Sequence, residues 1–174
     1  MSDRVKGLRV KHGEPSERAQ KKINNYLEED VKSFIKQSPF AVLSTSDNNG
    51  NCDASPRGGK PGFIKIINNT TLLMPDIRGN RLLQSTLNIE SNPKAGLILL
   101  IPGNNKSVRI NGSVQFLELH QIEKLGVENE IFNPDETSQM IQGLKITVDE
   151  AYSHCPRALS FSDLWNTEII NNNK

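Results

Sequence analysis

From Phe40 onward the apolar residues come in runs of strand length, each closed by a turn rich in Asn, Gly or Pro. That punctuation constrains the fold more than any other feature, because two short runs joined by such a turn specify a β-hairpin. Residues 40–45 (FAVLST) and 51–55 flank the turn Asp47-Asn48-Asn49-Gly50, and residues 63–67 and 71–74 flank Asn68-Asn69-Thr70. Residues 95–101 and 107–117 flank Pro102-Gly103-Asn104-Asn105, with a bulge or bend expected at Gly112. Residues 145–148 read as one further strand before a helix starting near Asp149. Single helical segments interrupt this pattern. One is an amphipathic helix opened at Pro15-Ser16-Glu17, with Ile23, Tyr26, Leu27, Val31, Phe34 and Ile35 at helical spacing and Pro39 closing it. The others are a short helix beginning near Asn80 and stopped before Asn92-Pro93, and a helix over residues 119–129, followed by a loop over 134–138. Regular strand-helix-strand alternation is absent, so a doubly wound parallel sheet is set aside in favour of a small antiparallel barrel, closed or partly closed, with helices outside it.

Length and charge bound the function. A chain of 174 residues buries roughly two-thirds of its unfolded surface and needs neither staples nor metals, so one compact domain is expected. The expected organisation is an N-terminal segment and helix over 1–38, a main domain over 39–165 and a polar tail over 166–174 that frays. With 21 Lys+Arg against 20 Asp+Glu the net charge is +1, which gives no field for nucleic acid or an anionic membrane. Any anion site is therefore a local cluster, and the expected partner is a small molecule. The apolar run 95–101 is far shorter than the ~20 residues of a membrane helix, and residues 1–11 carry charges where a signal peptide has its apolar core. Cys52 and Cys155 form neither a disulfide framework nor a ligand spacing for zinc, and a reducing cytoplasm fits that usage.

Four clusters could carry chemistry. Residues 54–62 combine Arg57 and Lys60 with Gly58, Gly59 and Gly62, following Ser55 at the end of a strand. Glycines admit a ligand close to the backbone, and a guanidinium holds a phosphate or carboxylate through parallel hydrogen bonds. Pro61 stands where a P-loop has Ser or Thr, so this is no triphosphate loop, and a solvated hairpin loop with incidental charge accounts for the composition equally well. Arg78-Gly79-Asn80-Arg81 sits at an expected helix start, where unpaired N–H groups and the dipole attract an anion. An ordinary Asn N-cap followed by a surface Arg is the plainer reading there. In residues 106–112, strand alternation puts Ser107, Arg109 and Asn111 on one face, which either meets solvent or lines a groove. The segment from His154 and Cys155 to Trp165 holds the one Trp. Neighbouring residues rarely face each other and no oxyanion loop accompanies the pair, so a structural cysteine is expected and no catalytic side chain is assigned.

Taken in order, FAVLST (40–45), ASPRG (54–58), PGFI (61–64), LMPD (73–76), GNR (79–81), NI (88–89), NP (92–93), GL (96–97), IPG (101–103), VRING (108–112), HCPR (154–157) and LW (164–165) resemble the pyridoxamine 5′-phosphate oxidase-like, FMN-binding split-barrel family. The likeness is to its branch of small oxidase-related proteins and covers about residues 34–165. It implies a six-stranded antiparallel split β-barrel with peripheral helices, and a homodimer with FMN at the subunit interface. It further implies that the Arg57 loop, with Ser55 and Gly58, and the Asn80-Arg81 turn meet the FMN phosphate. By the same likeness Phe63, Ile64, Lys65, Leu73 and Met74 lie near the ribityl chain and ring, Ser107 and Arg109 approach from the next strand, and Trp165 packs on the flavin from the partner subunit.

Two departures matter. Phe161 stands where the branch commonly has a basic residue. Residues 166–174 also lack the arginine and histidine pattern by which the true oxidase holds a pyridoxal-type substrate, so pyridoxamine phosphate is not the expected substrate. The resemblance implies an FMN-dependent oxidoreductase acting on an unidentified small substrate. The alternatives are a flavin-binding carrier or sensor without turnover, and a pocket for another planar cofactor such as haem or a deazaflavin.

Overall fold

The structure, a computed structural model, describes residues 1–127 and 138–173. Three helices open the chain: α1 (Asp3–His12), α2 (Glu17–Lys21) and α3 (Glu29–Gln37). Strands β1 (Phe40–Ser46), β2 (Cys52–Gly58), β3 (Lys65–Asn68) and β4 (Thr71–Ile77) follow, then α4 (Gln84–Ser91), β5 (Lys94–Leu100), β6 (Ser107–Leu117) and α5 (Leu119–Glu123). The long β7 (Met140–His154), α6 (Arg157–Phe161) and α7 (Thr167–Asn172) complete the described elements.

The expected hairpins form, and polar side chains close their turns. Asp47 Oδ1 accepts from the N–H groups of Asn49 and Asn51 at 2.9 and 2.8 Å. Asn68 Oδ1 accepts from Thr70 N at 2.9 Å, and Asn104 Oδ1 from Lys106 N at 2.9 Å. Each side chain thus supplies an acceptor that the reversing backbone has lost.

The barrel expectation needs correction. Among the described residues the strands form one seven-stranded antiparallel sheet in the order β2-β1-β5-β6-β7-β4-β3, open at β2 and β3, rather than a closed six-stranded barrel. The difference lies in β7, which continues through Asp149 where a helix was predicted. Pairing with β6 runs Asn111↔Glu150 and then Gly112↔Val148, leaving Asp149 as the extra residue of a bulge. Val148 and Ala151 both turn inward because of that slip, and their spacing of three imitates a helix. Gly112 is the bulge glycine anticipated from sequence: a Cβ there would land on the Thr147 carbonyl oxygen.

Buried residues from β1, β4, β5, β6 and β7 pack with Leu27, Val31, Phe34 and Ile35 into the main core, and a smaller cluster of Leu73, Leu117 and Ile122 sits with α5. The single helix predicted between Pro15 and Pro39 is broken into α2 and α3. Asn24 exchanges backbone hydrogen bonds with Ala151 at 2.7 and 3.4 Å, and Leu27 N donates to Asn69 O at 2.7 Å. Backbone committed to a strand cannot continue a helical ladder, so Ile23 is left 44% exposed while Ile35 is fully buried. Residues 167–172 form α7 instead of a frayed tail. Much of the loop expected over 134–138, and the end of the helix expected to reach 129, lie outside the described residues. Among the described residues no helix is long and apolar enough to cross a membrane.

Candidate functional site

Strand β2 is an edge strand on which Asp53, Ser55 and Arg57 alternate with more exposed residues, so the three project from one face. Facing them is α4, tied to β1 by Asn88 Nδ2 to Thr45 Oγ1 at 3.0 Å and by Asn92 Nδ2 to Ser46 Oγ at 3.1 Å. Ser55 Oγ and Ser85 Oγ both donate to Asp53 Oδ2, at 2.8 and 2.9 Å. Each hydroxyl has a single proton, so the two serine oxygens 3.3 Å apart are in contact while both protons point at the carboxylate. Ser85 therefore presents a lone pair to Arg57, whose Nη2 donates to it at 3.3 Å. Arg57 Nε is buried without a hydrogen-bond partner among the described residues.

The turn between β4 and α4 closes the site. Arg78 N donates to Gln139 O at 2.9 Å, and Asn80 Oδ1 accepts from Leu82 N at 3.1 Å. Arg81 and Leu83 have φ of 65° and 52°, a left-handed conformation that costs a side-chain-bearing residue about 1–3 kcal/mol. Asn80 is thus a turn former rather than the predicted N-cap, and the helix starts at Gln84 with Leu83 as its cap residue. No side chain caps that end, so the amides of its first turn keep their demand for an acceptor.

These segments enclose a cleft of about 740 Å³ lined by Asp53, Ser55 and Arg57 from β2, by Arg78, Asn80 and Arg81 from the turn, and by Gln84, Ser85 and Thr86 from α4. Asp76, almost fully buried in its wall, accepts from Gln142 Nε2 of β7 at 2.8 Å. Three arginines and a helix start without a side-chain cap among the described residues line the cleft with two hydrogen-bonded carboxylates, a donor set whose chemistry suits an anionic group. Among the described residues no cluster of His, Cys, Asp or Glu could hold a metal ion.

Of the residues singled out in the sequence, Ser55, Arg57, Asn80 and Arg81 line this one cleft, and Gly58 ends β2 beyond it. Phe63, Ile64, Leu73 and Met74 do not line it: all four are buried in the two apolar clusters, Leu73 and Met74 because β4 is covered on both faces. Lys65 starts β3 opposite Leu73 and is also outside the lining. Within one chain Ser107 and Arg109 lie on β6, which β7 separates from β4, and neither lines this cleft. Arg109 lines a second cleft of about 550 Å³ with Asn111, and its Nη1 donates to Tyr152 Oη at 3.0 Å. Trp165 Nε1 donates to Asn104 O at 3.0 Å, beside a third cleft of about 720 Å³ that includes Lys22, Tyr152 and His154. Burial holds His154 below the usual histidine range, with the charges of Arg109 and Lys22 adding to the effect. Asp53 and Ser85 were not assigned to the site from sequence and Arg78 was named only as part of the turn cluster, although the alternation Asp53-x-Ser55-x-Arg57 on a strand already placed Asp53 beside Arg57.

Residues 27–155 match the family model described as pyridoxamine 5′-phosphate oxidase. No curated protein matches the chain. Among solved structures it resembles a putative pyridoxamine 5′-phosphate oxidase from Lactobacillus delbrueckii at 17% identity, over 74% of this chain and 95% of that one, with a TM-score of 0.54. A single-residue variant of HupZ from Group A Streptococcus shares 14% identity over 74% of this chain and 99% of the other, with a TM-score of 0.52. General Stress Protein 26 from Bacillus anthracis gives 17%, 72%, 91% and 0.50 in the same terms. At these identities the structural likenesses establish the fold alone, whereas the family match runs through most of the strands and helices that build the Arg57 cleft. This chain belongs to the pyridoxamine 5′-phosphate oxidase family.

Proposed function

We propose that the cleft between β2 and α4 holds the phosphate of FMN, and that the protein is an FMN-dependent oxidoreductase of a small substrate. The observation that carries this reading is the convergence of Arg57, Arg78 and Arg81 with the uncapped start of α4 on one cleft. A phosphate ester fits the donors present. Arg57 Nε is a buried N–H without a partner, a state that costs about 1–3 kcal/mol and that a ligand oxygen would relieve. In this reading Arg57 donates to phosphate oxygens, the α4 amides donate to the remaining ones, and Arg78 and Arg81 balance the rest of the charge. The bound isoalloxazine would supply hydride transfer, and the protein would orient it. Hydride transfer is the flavin's own chemistry, so this scheme assigns no side-chain acid or base.

Arg109 lines the second cleft, Ser107 lies two residues before it on β6, and Trp165 bonds Asn104 at the rim of the third cleft. In a two-fold homodimer such residues can complete the site of the partner copy, and the proposal includes that assembly. The two free, exposed cysteines suit a reducing cytoplasm.

Purified protein mixed with FMN and freed of excess should remain yellow, and the bound flavin should bleach with a reduced nicotinamide and recover in air. Protein that stays colourless overturns the reading. Tightly bound FMN that no nicotinamide or substrate reduces would identify a flavin carrier or sensor instead.

A further inference from the structure

The site carries a carboxylate where an anion is expected, and its geometry assigns that group a task. Asp53 is ordered by Ser55 and Ser85, and both of those bonds fall on Oδ2. Oδ1 is left without a hydrogen-bond partner among the described residues, on a half-buried side chain lining the cleft. A carboxylate so placed repels phosphate and accepts from hydroxyl groups. It also withholds the two serine protons from any phosphate oxygen, which leaves the guanidinium groups and backbone amides as the anion's donors.

We propose that Asp53 is the specificity-determining residue of this cleft: it reads a hydroxyl of the chain that carries the phosphate, so the site takes a phosphorylated polyol and discriminates against bare phosphate. The inference rests on the phosphate reading above and deepens it, since the ester arm of FMN is a phosphorylated polyol.

Ribitol 5-phosphate and inorganic phosphate, titrated by calorimetry into the flavin-free full-length protein, test it without reference to turnover. The wild type should prefer ribitol 5-phosphate by about tenfold or more, the value of one hydrogen bond to a charged group. Asp53→Ala should bind inorganic phosphate more tightly than wild type, because the repulsion is gone and the serine protons are released, and its preference should fall to about threefold or less. Asp53→Asn keeps an acceptor for the serines while losing the charge, so its preference should lie between the two. Opposite movement of the two affinities is something a merely damaged fold does not produce. A wild type with no preference, or one that binds neither probe, overturns the inference, as do variants in which both affinities move in parallel. Failure here with FMN still held would leave the flavin reading standing, and a colourless FMN mixture would remove that reading separately.

Discussion

Arg57→Ala weakens FMN binding by about 10- to 100-fold, corresponding to the ~1.5–3 kcal/mol of a hydrogen bond between charged partners. The effect is large because this guanidinium is fixed before ligand arrives: Nη2 is held by Ser85, itself held by Asp53, while Nε has no competing partner. Arg57→Lys keeps the charge but loses the planar fork, so it restores only part of the affinity. Flavin fluorescence titration measures all three proteins. The stability of the free protein should change little, because the lost bond to Ser85 is offset by removing a buried, unpartnered N–H. Unchanged FMN affinity in Arg57→Ala would place the phosphate elsewhere.

The second large effect is on folding. Ile35→Ala should destabilise the chain by about 2–5 kcal/mol, since Ile35 is fully buried between α3 and the sheet. Ile23→Ala should stay within about 0.5 kcal/mol, because Ile23 is largely exposed beside the break in the helix. Both residues belong to the apolar spacing that predicted one helix, so equal losses in urea unfolding would mean that one continuous helix packs there after all.

That pair shows where sequence reading stops. Hairpins were legible because their determinants are local: Asp47, Asn68 and Asn104 each bond to backbone within a few residues. The helix break was not, because it depends on Asn24 finding Ala151 across the sheet. Strand β7 was misread for a related reason, as its bulge at Asp149 converts strand alternation into a spacing of three. In the site, Arg57 and Arg81 stood out as charges beside glycines, and the fold brings the end of β2 and the turn before α4 to one cleft. Asn80 was read as standing at the start of the next helix, yet its side chain accepts from Leu82 N in the loop and α4 begins only at Gln84. The roles of Asp53 and Ser85 were invisible because their bonds join a strand to a helix across a gap of 32 residues. Phe63, Ile64, Leu73 and Met74 were placed near a ligand by resemblance, but the open sheet buries their side chains away from the cleft.

The most direct test compares FMN with riboflavin on the same protein, since the two differ only by the phosphate. Two sets of charged donors predict an FMN affinity about 100-fold or more above that of riboflavin, weakening with added salt, with the ratio shrinking at least tenfold in Arg81→Ala. Riboflavin bound as tightly as FMN, with a ratio indifferent to Arg81, would contradict the account.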